Sequence, residues 1–164
     1  AEAYRYPEKN SFDKEKVNIM YLGPAWDDWS SDENSIYAAL TGLTLRPDDM
    51  QITGDISGAS MLDEEFTNIN MMIKYFKFGF GRATDICNER IRAGVLTKKI
   101  AIELVEKFDG VCDDTIVSRY CEYVGIEVDF FWNNVNRYAN TSIFKIEKGV
   151  RPIRKFQVGR DFVN

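Results

Sequence analysis

Residues 74–85, KYFKFGFGRATD, gather the side chains best suited to chemistry in this sequence. Lys74 and Lys77 are three apart, so on a helix they share a face. Gly79 and Gly81 allow a backbone turn at positive φ. Arg82 follows, and Ala83-Thr84-Asp85 opens a further helix. The free N–H groups at a helix start, the helix dipole and three nearby cations make a site for a phosphate or a carboxylate. The same residues also read as a glycine hinge between two packed helices, with lysines snorkelling to solvent. The GxG pattern is not specific by itself, being neither GxGxxG after a strand nor GxxxxGK[ST].

A second cluster is WDDWSSDE, residues 26–33. Trp26 and Trp29, interleaved with Asp27, Asp28, Asp32 and Glu33, are suited to stacking on a sugar, and the carboxylates to holding a divalent cation. No EF-hand spacing is present, and tryptophans packed beside a solvated acidic helix cap explain the same residues. Phe76, Phe78, Phe80, Phe130, Phe131 and Trp132 fall mostly on helical spacing and read as core rather than as a stacking platform. Asp113-Asp114 reads as a helix cap.

Other chemistry is excluded by composition. The 164 residues include no histidine. A Ser-His-Asp triad, a Cys-His pair and an HExxH zinc site are therefore impossible within this chain. Cys87, Cys112 and Cys121, spaced 25 and 9 apart, match no zinc or redox pattern and read as reduced thiols. Net charge is −5 and the pI about 4.9, against a nucleic-acid partner. No apolar run is long enough to span a membrane, and the polar N-terminus has no signal-peptide pattern. A cytoplasmic protein is expected. Charge is uneven. Residues 1–65 hold 14 acidic and 5 basic side chains, 66–144 hold 10 of each, and 145–164 hold 2 acidic and 6 basic. Such a tail pairs within the chain, meets an anionic partner, or is solvated.

The elements that must position these residues follow from pattern. VNIMYL (17–22) reads as a strand ended by Gly23-Pro24. Ser30, Ser31 or Asp32 caps a short helix through about Leu40. Residues 44–66 read as a long loop with room for one short strand. From residue 67 the pattern is helical: one segment punctuated by Gly79 and Gly81, then Thr84–Ala93, stopped by Gly94. Thr97 caps the next helix, with Ile100, Ala101, Leu104, Val105 and Phe108 on its stripe, ended by Asp109-Gly110. Asp113 or Asp114 caps another, with Ile116, Val117, Tyr120, Cys121 and Val124 inward and Gly125 at its end. The last carries Val128, Phe131, Trp132, Val135 and Tyr138. The fold class expected is α+β but mainly α-helical: a small antiparallel helical bundle over about 67–140 with an irregular N-terminal α/β segment. The tail 142–159 reads as a loose hairpin or an extended arm, which Pro152 keeps out of any central strand. Two domains are expected: 1–66, a remnant of an α/β nucleotide-binding domain or a linker layer, and 67–164, a helical domain with a basic tail.

The run YFKFGFGRATDICNERIRAGVLTKKIAIELVEKFDG (75–110), with YVGIEVDFFW (123–132), resembles the C-terminal part of the N-acetyl sugar amidotransferases. These enzymes of lipopolysaccharide O-antigen and related glycan synthesis belong to the PP-loop ATP pyrophosphatase group. KFGFGRATD (77–85) is the most specific element; YLGPAWD (21–27) and FTNIN (66–70) resemble the family more loosely. The resemblance spans residues 17–145 and is strong over 66–138. It implies ATP-dependent conversion of a sugar N-acetyl group to an acetamidino group. ATP adenylates the amide oxygen, pyrophosphate leaves, and ammonia from a glutaminase partner displaces AMP. ATP and Mg²⁺ are implied for the complete enzyme, with a nucleotide-sugar substrate. The family's SGGxDS signature and N-terminal cysteine pairs are absent here. This chain is then the C-terminal part of a longer enzyme or a degenerate stand-alone relative; alone it is expected to be inactive and to hold no cofactor. What carries over is Lys77 and Arg82 as contacts to nucleotide phosphate or a sugar-linked diphosphate, with Lys74 as a further contact. Asp85 would position Arg82 or cap its helix. Two alternatives remain open: a non-catalytic helical module docking a glutaminase partner or a second copy, and a small carbohydrate-binding domain using Trp26 and Trp29.

Overall fold

Helix signals and turn glycines set the order of elements. The computed structural model describes Met20, Leu22 and residues 30–46, 50–60 and 62–160. The strand reading at 17–22 lies largely outside these residues, and Trp26 and Trp29 lie wholly outside them. The chain divides into two compact units, residues 1–42 and 43–164.

In the first unit, helix α1 runs Ser31–Leu40. Its N-cap is Ser30, whose Oγ accepts from the Glu33 N–H at 3.0 Å, so one otherwise unpaired amide of the first turn is satisfied. None of its residues is buried.

The second unit holds α2 (Met50–Thr53), α3 (Thr67–Phe78), α4 (Arg82–Arg92), α5 (Lys98–Phe108), α6 (Asp114–Val124) and α7 (Val128–Tyr138). A two-stranded antiparallel sheet follows, β1 (Phe144–Lys145) and β2 (Ile153–Arg154), with Phe144 opposite Arg154 and Lys145 opposite Ile153. The protein is thus mainly helical with a small sheet. Helix α4 packs on α5, α3 on α7, and α6 on α7. The core is built by α3, α6, α7 and β1 around Met72, Phe76, Ile116, Val117, Trp132 and Phe144. Its rings meet edge to face, which the ring quadrupole favours: Phe76 and Phe144 stand 5.4 Å apart at 83°, and Tyr75 and Phe144 5.2 Å apart at 72°.

The caps follow the sequence. Thr97 caps α5, Asp113 rather than Asp114 caps α6, and Gly125, at φ 72°, ends α6. Two hydrogen bonds from Thr115 hold the Asp113 carboxyl below its usual range. The stripes are narrower than their patterns suggest. Ile100, Val124, Val128 and Tyr138 are exposed, because each sits at the margin of its helix's buried arc. Helix α4 begins at Arg82, two residues earlier than expected. All three thiols are buried. Burial raises their pKa values, that of Cys112 to about 11 despite the pull of Arg151.

The basic tail is tied down rather than extended. Arg151 donates to the Cys112 carbonyl at 2.6 Å and to Asp114 at 2.7 Å, and its guanidinium lies over the Trp132 ring. Arg154 pairs with Glu106 on α5, whose other oxygen accepts from the Val158 N–H at 3.0 Å. Of the readings open for the tail, pairing within the chain accounts for these two arginines. No helix among the described residues is long and apolar enough to cross a membrane.

Candidate functional site

The turn between α3 and α4 is FGFGR, and its two glycines do different work. Gly79 ends α3 in the left-handed region, φ 83°, with its N–H on the Tyr75 carbonyl at 2.7 Å. Gly81 is extended, a conformation open to any residue, but a Cβ there would stand 2.8 Å from Asp109 Oδ1. It is small so that a carboxylate can approach its backbone.

That carboxylate fills the start of α4. Gly81 N–H donates to Asp109 Oδ2 at 2.8 Å, Thr84 N–H to Oδ1 at 3.2 Å, and the Thr84 hydroxyl to Oδ2 at 2.7 Å. The N-cap residue Gly81 has no side chain, so Asp109 caps the helix from 28 residues downstream. This tertiary cap lets α4 start at Arg82 instead of Thr84. Asp109 is 7% exposed. Burial raises its carboxyl above the ordinary 3.8, while the bonds from Thr84 and Gly81 pull it down; burial prevails. The helix N-terminus thus already holds an anion, one of the chain's own.

The cations sort into two kinds. Lys74 Nζ lies 2.6 Å from Asp85 Oδ2 and 4.7 Å from the centre of the Phe80 ring. Asp85 is therefore turned to Lys74, and among the described residues it makes no hydrogen bond to Arg82 or to the first N–H groups of α4, where Asp109 is bound. Arg82 is half-buried and donates from Nε to Ser60 Oγ at 3.0 Å and from Nη2 to the same oxygen. It has no ion pair with a carboxylate among the described residues. Lys77 is exposed beside the Phe78 ring. Lys74, Lys77, Arg82 and Asp85 thus all lie around the α3–α4 turn. Phe78 and Phe80, read from the sequence as core, are instead 57% and 41% exposed, with ring centres 6.2 Å apart. Phe130 is also exposed, while Phe76, Phe131 and Trp132 are buried.

Ser60 is itself held. Asp55, 2% exposed, accepts from the Ser60 N–H at 3.0 Å, the Ser57 N–H at 3.0 Å and the Ser57 hydroxyl at 2.6 Å. Residues 54–60 are thereby folded around one carboxylate, and a cleft of about 180 Å³ opens beside them between Arg46, Met50 and Ser57. Sequence reasoning missed Asp55, Ser60 and Asp109. The DISGAS string carries an Asx-turn signal. Nothing local to Asp109-Gly110 distinguishes a helix stop from a cap for another helix.

Chemically, the surface around this turn offers one preset guanidinium, Arg82, and one exposed ammonium, Lys77, each able to meet an anion, with exposed rings nearby. Among the described residues no group of three metal-ligating side chains exists, and the thiols are too buried to act as nucleophiles.

A family model described as "LPS biosynthesis protein WbpG-like, C-terminal domain" matches residues 62–158, more than half of the chain. The match takes in the whole α3–α4 turn and Asp109, whereas Asp55 and Ser60 lie just before its start. No curated protein matches the chain.

Proposed function

This chain belongs to the WbpG-like LPS biosynthesis proteins through their C-terminal domain, and we propose that it completes the active site of an ATP-dependent sugar amidotransferase. In the proposed reaction, ATP supplies the adenylyl group that activates the oxygen of a sugar N-acetyl group, and ammonia then replaces AMP to leave an acetamidino group. This chain's part is to bind and orient. Arg82 offers N–H donors to phosphate oxygens, and Lys77 adds a second, solvent-facing charge. Both favour the charge that develops as a diphosphate departs. Two such cations match a diphosphate in charge. Among the described residues no group of three metal-ligating side chains is present, and the contribution proposed for this chain is made through Arg82 and Lys77.

The observation that carries this reading is the Arg82 guanidinium, fixed by a neutral hydroxyl and not neutralised by a carboxylate among the described residues. Half-buried, Arg82 keeps part of its charge open to solvent while Ser60 fixes its direction, the combination a phosphate contact needs. The test is Arg82→Ala in the complete enzyme. Pyrophosphate release with a nucleotide-sugar should fall about 100-fold or more, with the circular dichroism spectrum and melting temperature retained. Unchanged turnover would remove Arg82 from the site.

A second reading is an interaction module that docks a glutaminase partner or a second copy. Tyr123 and Phe130, 78% and 58% exposed around the α6–α7 turn, favour it. Sedimentation of the chain alone and with a glutaminase tests both versions; a monomer that binds no glutaminase ends this reading.

A further inference from the structure

We propose that Asp109 is a positioning residue for Arg82, fixing the direction in which the guanidinium leaves α4. The inference rests on Arg82 being a phosphate contact, but its geometry is independent of that reading. Arg82 is the first residue of α4, and Asp109 binds the residue before it and the residue two after it. Those bonds set the first turn of the helix, and with it the Cα–Cβ vector of Arg82.

Asp109 has a rigid seat. Its own N–H closes α5 on the Val105 carbonyl at 3.0 Å. The next residue, Gly110, has φ 77°, and a Cβ there would lie 2.1 Å from the Tyr75 ring, which packs in the core. A larger residue at 110 would displace Tyr75, so the turn that ends α5 packs directly on the core. On the other side, the Asp55 loop holds Ser60 against the guanidinium. Arg82 is thus fixed at both ends: its backbone by Asp109, its head by Ser60. Such outer support commonly decides whether a site is present or merely near.

The test follows the Arg82 Nε–H resonance by ¹⁵N NMR in this chain, alongside titration with inorganic pyrophosphate. In the wild type Nε donates to Ser60 Oγ at 3.0 Å, and that proton should be protected from exchange. Asp109→Ala should lose the protection and weaken pyrophosphate binding about 10-fold. Added formate, a carboxylate small enough for the vacated position, should restore both. Thr84→Ser, which keeps the hydroxyl donor, should behave as wild type, and Thr84→Val should lose protection in part. The Thr84 pair carries the test if Asp109→Ala does not fold. An unchanged Arg82 resonance in Asp109→Ala and Thr84→Val would overturn the proposal. So would formate restoring the melting temperature but not the Arg82 signal, which marks a purely structural cap. If the wild type binds no pyrophosphate while the resonance still depends on Asp109, the phosphate reading fails and the positioning role stands.

Discussion

Tyr75 and Phe76 lie in the core, while Phe78 and Phe80, a few residues on, lie at the surface. The contrast is one of helical phase. Tyr75 and Phe76 are three and four residues past the fully buried Met72 and share its face; Phe78 is six past it and does not. The two regions are held by different physics. The core is specified by shape, through edge-to-face rings and the absence of a side chain at Gly110. The α3–α4 turn is held by hydrogen bonds to one buried carboxylate, Asp109, while a second, Asp55, folds the segment that sets Ser60 against Arg82. Apolar packing spreads its cost over many contacts, whereas a polar latch concentrates it in one or two atoms.

The largest expected effect is in the core. Phe144→Ala, at a residue 1% exposed, should cost about 3–5 kcal/mol, read as a lower urea midpoint at unchanged slope. A loss under about 1 kcal/mol would break the distinction, because the core would then not depend on ring packing.

Asp109→Asn sharpens the comparison from the other side. It sets an amide N–H against a backbone or hydroxyl donor and should cost about 1–2 kcal/mol. It also changes the pH dependence. The folded carboxyl sits above its ordinary 3.8, so the native chain takes up a proton more readily than the unfolded chain. Its contribution is greatest below about 3.8 and declines as pH rises through the raised native value. Subtracting the Asn variant's stability curve from the wild type's should expose that decline. Parallel curves would show that Asp109 does not titrate in this window.

The smallest effect on stability is expected from Phe78→Ala and Lys77→Ala, within about 0.5 kcal/mol, since both side chains are exposed. Pyrophosphate binding should nevertheless weaken in Lys77→Ala. A large destabilisation would instead make the exposed face part of the fold.

Much of this architecture is legible in the sequence because its signals are local. Ser30, Thr97 and Asp113 mark helix starts with side chains that bond within three residues. Gly79 and Gly125 mark ends that need the left-handed region. The buried centres of the stripes, such as Ile116, Val117, Phe131 and Trp132, follow from periodicity; their margins do not, because neighbours decide how wide the buried arc is. The segment 74–85 announces itself by its glycines and cations. Its support does not. Asp109 and Ser60 act across 28 and 22 residues, and only the fold brings them to Gly81 and Arg82. Asp85, near Arg82 in sequence, is paired instead with Lys74 eleven residues away.

The three buried thiols have a practical consequence. With Cys87, Cys112 and Cys121 shut away and poorly ionised, the native surface is blank to maleimide reagents. A Lys77→Cys variant would place a single dye beside Phe78 in exchange for the Lys77 charge, with the wild type as its own unlabelled control. Fluorescence from that position would then report directly on what approaches the α3–α4 turn.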